Sequence, residues 1–223
     1  MEITIQTPSG GALVFPEPAP LVRWFVSGSS GGYDGWAKAT APNRITAEDI
    51  SALNRFARAR TPERRWAGVI ADRRCLWLKA LSPEWDAAAT SEEEWAAQDV
   101  SGRLEAAFAV LCGPYRGISV ASKLLHLKRP RLIPLLDALV LEQLGVPVPG
   151  GNDDGVRAAV AAQLTTHLAA QARANRDALA ELQSELAGEE AYLSAIRLID
   201  ILLWASHPAA GLRRPVERRV RLL

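Results

Sequence analysis

From residue 46 onward the chain reads as a succession of helix starts and stops with no strand pattern between them. Thr46 and Asp49 form a capping box ahead of Ile50, Leu53 and Ala57, which repeat at helical spacing. Thr61-Pro62-Glu63 opens a second helix with Pro at its first position, and that helix carries Trp66, Val69, Ile70, Leu76, Trp77 and Leu81. Ser91 and Glu94 cap a third, which runs through Leu104, Phe108 and Leu111 to a Gly113-Pro114 stop. Helices are predicted next over residues 119–129 and 137–145, then a long Ala-rich one over about 156–187, and a last one over 190–206. A parallel α/β sheet needs strands alternating with helices, and that alternation is absent. The expected fold is mainly α.

The first 45 residues differ. They are rich in Gly, Pro and Ser, and residues 2–6 and 12–15 can pair as short strands around a Ser-Gly-Gly turn. The 16–20 run, PEPAP, is expected to be extended or a turn, because Pro removes a donor and restricts its neighbour. The predicted organisation is a β or irregular arm over 1–45, a helical domain over 46–207 with its hairpin at 113–137, and a basic tail over 208–223. That tail holds Arg213, Arg214, Arg218, Arg219 and Arg221, alternating with Val216, Val220 and Leu222. It can lie along phosphates or dock as a strand or helix.

A formal net charge of +1 gives the chain no global field toward nucleic acid or membrane, so any such footprint has to be local. Two cysteines make neither a disulfide framework nor a zinc site. The most apolar stretch, 193–205, is interrupted by Arg197 and Asp200, which makes it a core helix and not a membrane span. The first residues lack the basic start and apolar run of a signal peptide, so a cytoplasmic location is the expectation.

Residues 114–145, PYRGISVASKLLHLKRPRLIPLLDALVLEQLG, carry the most chemistry. No acid occurs between Glu105 and Asp137, whereas Arg116, Lys123, His126, Lys128, Arg129 and Arg131 do. On the helix opening at Ser119, Val120, Leu124 and Leu127 form an apolar stripe, leaving Ser119, Ser122, Lys123 and His126 for the other side. Gly117 permits a tight turn with exposed N–H groups, which with the helix dipole and a nearby Arg make an anion site of phosphate size. Asp137 caps the next helix, where the helix N-terminus favours a negative charge. A carboxylate fixed there can orient a water or stabilise a developing cation. Equally, a Gly before a helix can be just a turn, and Asp137 just a cap.

Tyr115 to Gly145 resembles the helix-hairpin-helix DNA glycosylase superfamily, especially its 8-oxoguanine glycosylase-like members. Tyr115-Arg116-Gly117-Ile118-Ser119 lies on the hairpin, Val120 to Leu125 on the second hairpin helix, and Ile133-Pro134-Leu135-Leu136-Asp137 on the segment of the superfamily's essential aspartate. The whole chain is also similar to a family of actinobacterial proteins of no assigned activity that share YDGW-like, SKLLHLKRPRLIP-like and LLW-like segments. The superfamily resemblance implies an all-α fold that grips double-stranded DNA through hairpin amides, often with a monovalent cation there. It further implies a base flipped into a pocket and N-glycosidic cleavage aided by Asp137.

The chain departs from the pattern. Ser119 stands where the hairpin's second Gly is expected, and Arg116 replaces the Pro. At the position of the nucleophilic lysine of bifunctional members stands Ser119 or Val120, with Lys123 about one turn later, so the implied enzyme is monofunctional and uses water. With no four-cysteine cluster, an iron–sulfur member is excluded. No cofactor or metal is expected beyond that cation.

The expected DNA contacts are Arg116, Gly117, Ser119, Lys123, His126, Lys128 and Arg129, with Asp137 as the catalytic group. Tyr33 and Trp36 are candidates to stack on a base, or else they plug the arm onto the helices. Arg197 and Asp200, one turn apart in an apolar helix, read as a structural ion pair, and His167 as a packing residue and not a metal ligand. Two functions fit: a DNA-binding glycosylase-like protein that removes a damaged or modified base, or a non-catalytic DNA- or protein-binding module on the same scaffold.

Overall fold

A computed structural model of the chain describes residues 1–27, 34–37, 40–57, 59, 61–113, 116–147, 153–187, 193–210 and 221–222. Strands β1 (Ile3–Gln6) and β2 (Ala12–Phe15) form an antiparallel hairpin with Ile3 opposite Phe15. A two-residue strand, β3 (Arg221–Leu222), pairs with β2. The other elements are helical: α1 (Pro18–Phe25), α2 (Ala47–Phe56), a 3-10 turn (Glu63–Trp66), α3 (Ala67–Ala71) and α4 (Leu76–Lys79). These are followed by α5 (Glu92–Ala97), α6 (Val100–Leu111), α7 (Ile118–Lys128) and α8 (Ala138–Gln143). The last three are α9 (Asp154–Ala174), α10 (Arg176–Glu185) and α11 (Ala195–Ser206).

The capping boxes at Thr46/Asp49 and Ser91/Glu94 form as the sequence predicts, each with both reciprocal bonds. Elsewhere polar side chains break helices that look continuous in sequence. Asp72 accepts from the N–H groups of Arg74 and Cys75, and Cys75 takes up φ 44°, so the 63–81 helix splits at 72–75. Asp99, at φ 48°, accepts from Gly102 N–H and separates α5 from α6. The long Ala-rich helix is interrupted at Asn175, whose amide clasps β1: Oδ1 accepts from Thr4 N–H at 3.0 Å and Nδ2 donates to Thr4 C=O at 2.8 Å. Gln171 and His167 continue this clasp onto Gln6, so the edge of β1 is satisfied by side chains of α9. Residues 18–25, which follow the first Pro of the PEPAP run, are helical, with Pro18 in the first turn, where its missing N–H costs nothing.

One hydrophobic cluster joins the hairpin (Ile3, Ile5, Leu13, Phe15) to the helices. Helix α11 is its axis: eight of its apolar side chains from Ala195 to Ala205 are buried, and it packs on α1, α8, α9 and α10. Trp66 is fully buried, while Trp77 and Trp204 lie partly buried against the cluster. No helix among the described residues is long and apolar enough to cross a membrane.

Candidate functional site

Between α6 and α7, Gly113 and Arg116 pair through their backbones. Gly113 N–H donates to Arg116 C=O at 3.1 Å, and Arg116 N–H returns a bond to Gly113 C=O at 2.7 Å. Gly117 caps α7 in an extended conformation, with open space where a Cβ would stand, and no side chain among the described residues caps that helix. The first amides of α7 therefore have no intrahelical acceptor. Arg116 does not reach straight into solvent. Its guanidinium lies over the ring of Trp66, 5.0 Å from the centroid, and close over Gly113, where an added Cβ would meet Nη2 at 2.5 Å.

The cationic face expected on α7 does not form as such. Lys123 is half-buried and donates to Ala57 C=O at 3.2 Å; burial lowers its pKa, Asp137 opposes that shift and Arg197 reinforces it. His126, Lys128 and Arg129 are buried, at 1%, 2% and 1% exposure, so they are core groups and not phosphate contacts. Lys128 Nζ donates to Asp49 Oδ2 at 2.7 Å, Thr40 Oγ1 at 2.6 Å and Ala41 C=O at 3.1 Å, which uses all three of its protons. Arg129 donates to the carbonyls of Leu78, Leu81, Pro42 and Lys128 and to Asn43 Oδ1. It has no acid partner among the described residues, and burial brings its pKa down to about 10. Ser122 is also buried: Oγ donates to Ser119 C=O and accepts from Leu136 N–H.

Asp137 is partly exposed at the N-terminus of α8. Its Oδ1 accepts from the N–H groups of Leu139 and Val140, each at 3.1 Å, and Oδ2 accepts no hydrogen bond among the described residues. The segment that carries it is held from behind by two helices. Ser122 of α7 binds Leu136 N–H at 3.0 Å, and Asp200 of α11 binds Leu135 N–H at 2.9 Å.

Sequence reasoning missed a second constellation. Arg197 binds Asp34 through two parallel bonds, Nε to Oδ1 at 2.9 Å and Nη2 to Oδ2 at 3.2 Å, and it binds Asp200 Oδ1 through Nη1. The ion pair expected between Arg197 and Asp200 is thus one limb of a buried triad. His126 stands beside it: Nδ1 lies 2.6 Å from Ile133 C=O, which can only accept, so Nδ1 carries a proton and Nε2 faces Asp34 Oδ1 at 3.8 Å. Burial would raise the Asp34 pKa, but Arg197 and then His126 outweigh it and hold the carboxyl at about 2. For Asp200 burial wins over Arg197, and its carboxyl is pushed up to about 6. A cavity of about 170 Å³ adjoins the triad; Asp34, His126, Arg131, Ser194 and Arg197 contribute to its lining together with Ala37 and Pro130. Asp137 does not line it.

Trp36 packs against the core with its Nε1 buried and without a hydrogen-bond partner among the described residues; Tyr33 lies outside those residues. His167 donates through Nε2 to Gln6 C=O at 2.7 Å. The signal that marks Asp34 is weak in sequence, a single acid in a Gly-rich loop, because its partner stands 163 residues away.

No curated protein and no solved structure matches the chain. A family of unknown function, DUF6308, matches residues 25–207, a span that includes the triad, the hairpin and Asp137. The chain belongs to the DUF6308 family.

Proposed function

We propose that the chain binds duplex DNA at the α6–α7 hairpin and that Asp137 supports hydrolytic removal of a base. The observation that carries this reading is the state of Asp137. One carboxylate oxygen of this partly exposed group is fixed by two helix amides, and the other accepts no hydrogen bond among the described residues. Such an oxygen can stabilise positive charge developing on a sugar as its base leaves, or align the water that replaces the base. The uncapped α7 N-terminus supports the binding half of the reading, since amides there suit a phosphate oxygen. The helix-hairpin-helix glycosylase resemblance supports the same order of parts.

A second reading, a non-catalytic DNA- or protein-binding module, draws on a different observation. Capping alone accounts for Oδ1 of Asp137, and three of the expected phosphate contacts are core groups.

A panel of lesion-bearing duplexes, assayed with the parent and with Asp137→Asn, separates the two. Asn is as good a helix cap as Asp, so the variant keeps the fold. Turnover by the parent that is lost in the variant, with duplex binding retained, is the expected result. Binding without turnover on any lesion establishes the module. Absence of salt-dependent duplex binding overturns both DNA readings.

A further inference from the structure

With Lys128 and Arg129 in the core, the solvent-facing cations have to be sought elsewhere. Residues 63–79 hold five cations against two acids, in a chain whose net charge is +1. The segment folds as the 3-10 turn, α3 and α4, and burial sorts its side chains cleanly. Trp66, Val69, Cys75 and Leu78 turn inward; Arg64, Arg73, Arg74 and Lys79 are exposed, and none of these four makes an ion pair among the described residues. One of the two acids is internally engaged: Asp72 accepts from Arg74 N–H, Cys75 N–H and Trp77 Nε1. The segment also touches the hairpin directly, because the ring of Trp66 is the platform under Arg116.

We propose that Arg64, Arg73, Arg74 and Lys79 form the phosphate-binding surface of this protein, extending the hairpin site along a duplex. This rests on the reading that the chain binds DNA, and it names the surface that does so. A phosphate backbone needs solvated, unpaired cations placed along a rigid support, and it requires no base-reading code. Two arginine-bearing turns fixed by buried Trp66 and Leu78 provide that. Leu76, 66% exposed between the Arg73-Arg74 pair and Lys79, adds an apolar point on the same segment.

The test is the salt dependence of duplex binding by the full chain, followed by fluorescence anisotropy on an undamaged oligonucleotide. Arg73→Ala/Arg74→Ala is expected to lower the slope of log K against log salt by about 1.8, at roughly 0.9 per lost phosphate contact. Arg64→Ala/Lys79→Ala is expected to lower it by the same amount, while Arg176→Ala, an exposed cation on α10, leaves it unchanged. All these side chains are exposed, and unchanged far-ultraviolet dichroism and melting would verify that the variants fold. A parent that binds with its full slope intact in both double variants overturns this surface and leaves the DNA reading standing. A parent that binds no duplex removes both. Binding to phosphatidylserine vesicles in place of duplex, lost in the same variants, assigns the patch to a membrane and overturns the proposal.

Discussion

Asp34 and Arg197 meet edge to edge in the interior, their two parallel bonds joining the helical residues 34–37 to the central helix α11. The contact is 163 residues wide in sequence, and both side chains are at least nine-tenths buried. Arg197 also satisfies Asp200, so one guanidinium balances two carboxylates. Removing it leaves both acids in the core. Arg197→Met is expected to destabilise the protein by about 3–5 kcal/mol, the range for a buried pair broken on one side. Arg197→Lys recovers little of that, because an ammonium cannot make two parallel bonds to Asp34 and a third to Asp200. Urea-unfolding midpoints of the two variants check this.

The two acids of the triad give stability opposite dependences on pH. Asp34, held near 2 against an ordinary 3.8, contributes stability that is present above pH 4 and lost as pH falls toward 2. Asp200, raised to about 6, binds its proton more tightly in the folded state, so stability falls as pH rises from about 4 to 6 and is level above that. Asparagine imitates the protonated carboxyl. Asp200→Asn is therefore expected to compare better with the parent at pH 7 than at pH 4, and the measurement is the difference in unfolding free energy at those two values. A difference that does not change with pH would refute the assignment.

Lys128 and Asp49 make a separate buried pair, 2.7 Å apart and both beyond the reach of solvent. Lys128→Met strands a carboxylate and is expected to cost about 3–5 kcal/mol, yet to leave the duplex affinity of the folded fraction unchanged. Had Lys128 been the phosphate contact that the sequence suggests, affinity would fall and stability would hold. Thermal unfolding and anisotropy on the same preparation distinguish the two.

The features that sequence made legible are local. Capping boxes at Thr46 and Ser91, the Asp137 cap and the β1–β2 turn each involve residues a few positions apart, and each formed as expected. What the sequence concealed is the destination of long polar side chains. Lys128 and Arg129 follow an apolar stripe in an acid-free stretch, which is also how a basic surface would be written. Their partners, Asp49 and Pro42, lie 79 and 87 residues upstream, where no helical periodicity can point to them. The Arg64-Arg65 and Arg73-Arg74 pairs were visible, but the continuous helix expected over 63–81 hid the turn at 72–75 that presents the second pair.

Asn175 supplies a last check, on the joint between the hairpin and the helices. Its amide exchanges two bonds with the backbone of Thr4 and donates a third to Gln171 C=O. Asn175→Ala removes all three and leaves the Thr4 N–H and C=O to find water on a half-buried strand edge. The expected loss is about 1–3 kcal/mol, the cost of orphaning such groups. It should be felt first at β1, because Gln171 and His167 still hold Gln6 at the far end of that strand. Hydrogen exchange at the Thr4 amide should accelerate more than at the α11 amides, which are protected by the core itself. Equal acceleration at both places would mean that the hairpin and the helical core open together, and that the Asn175 clasp is not what separates their stabilities.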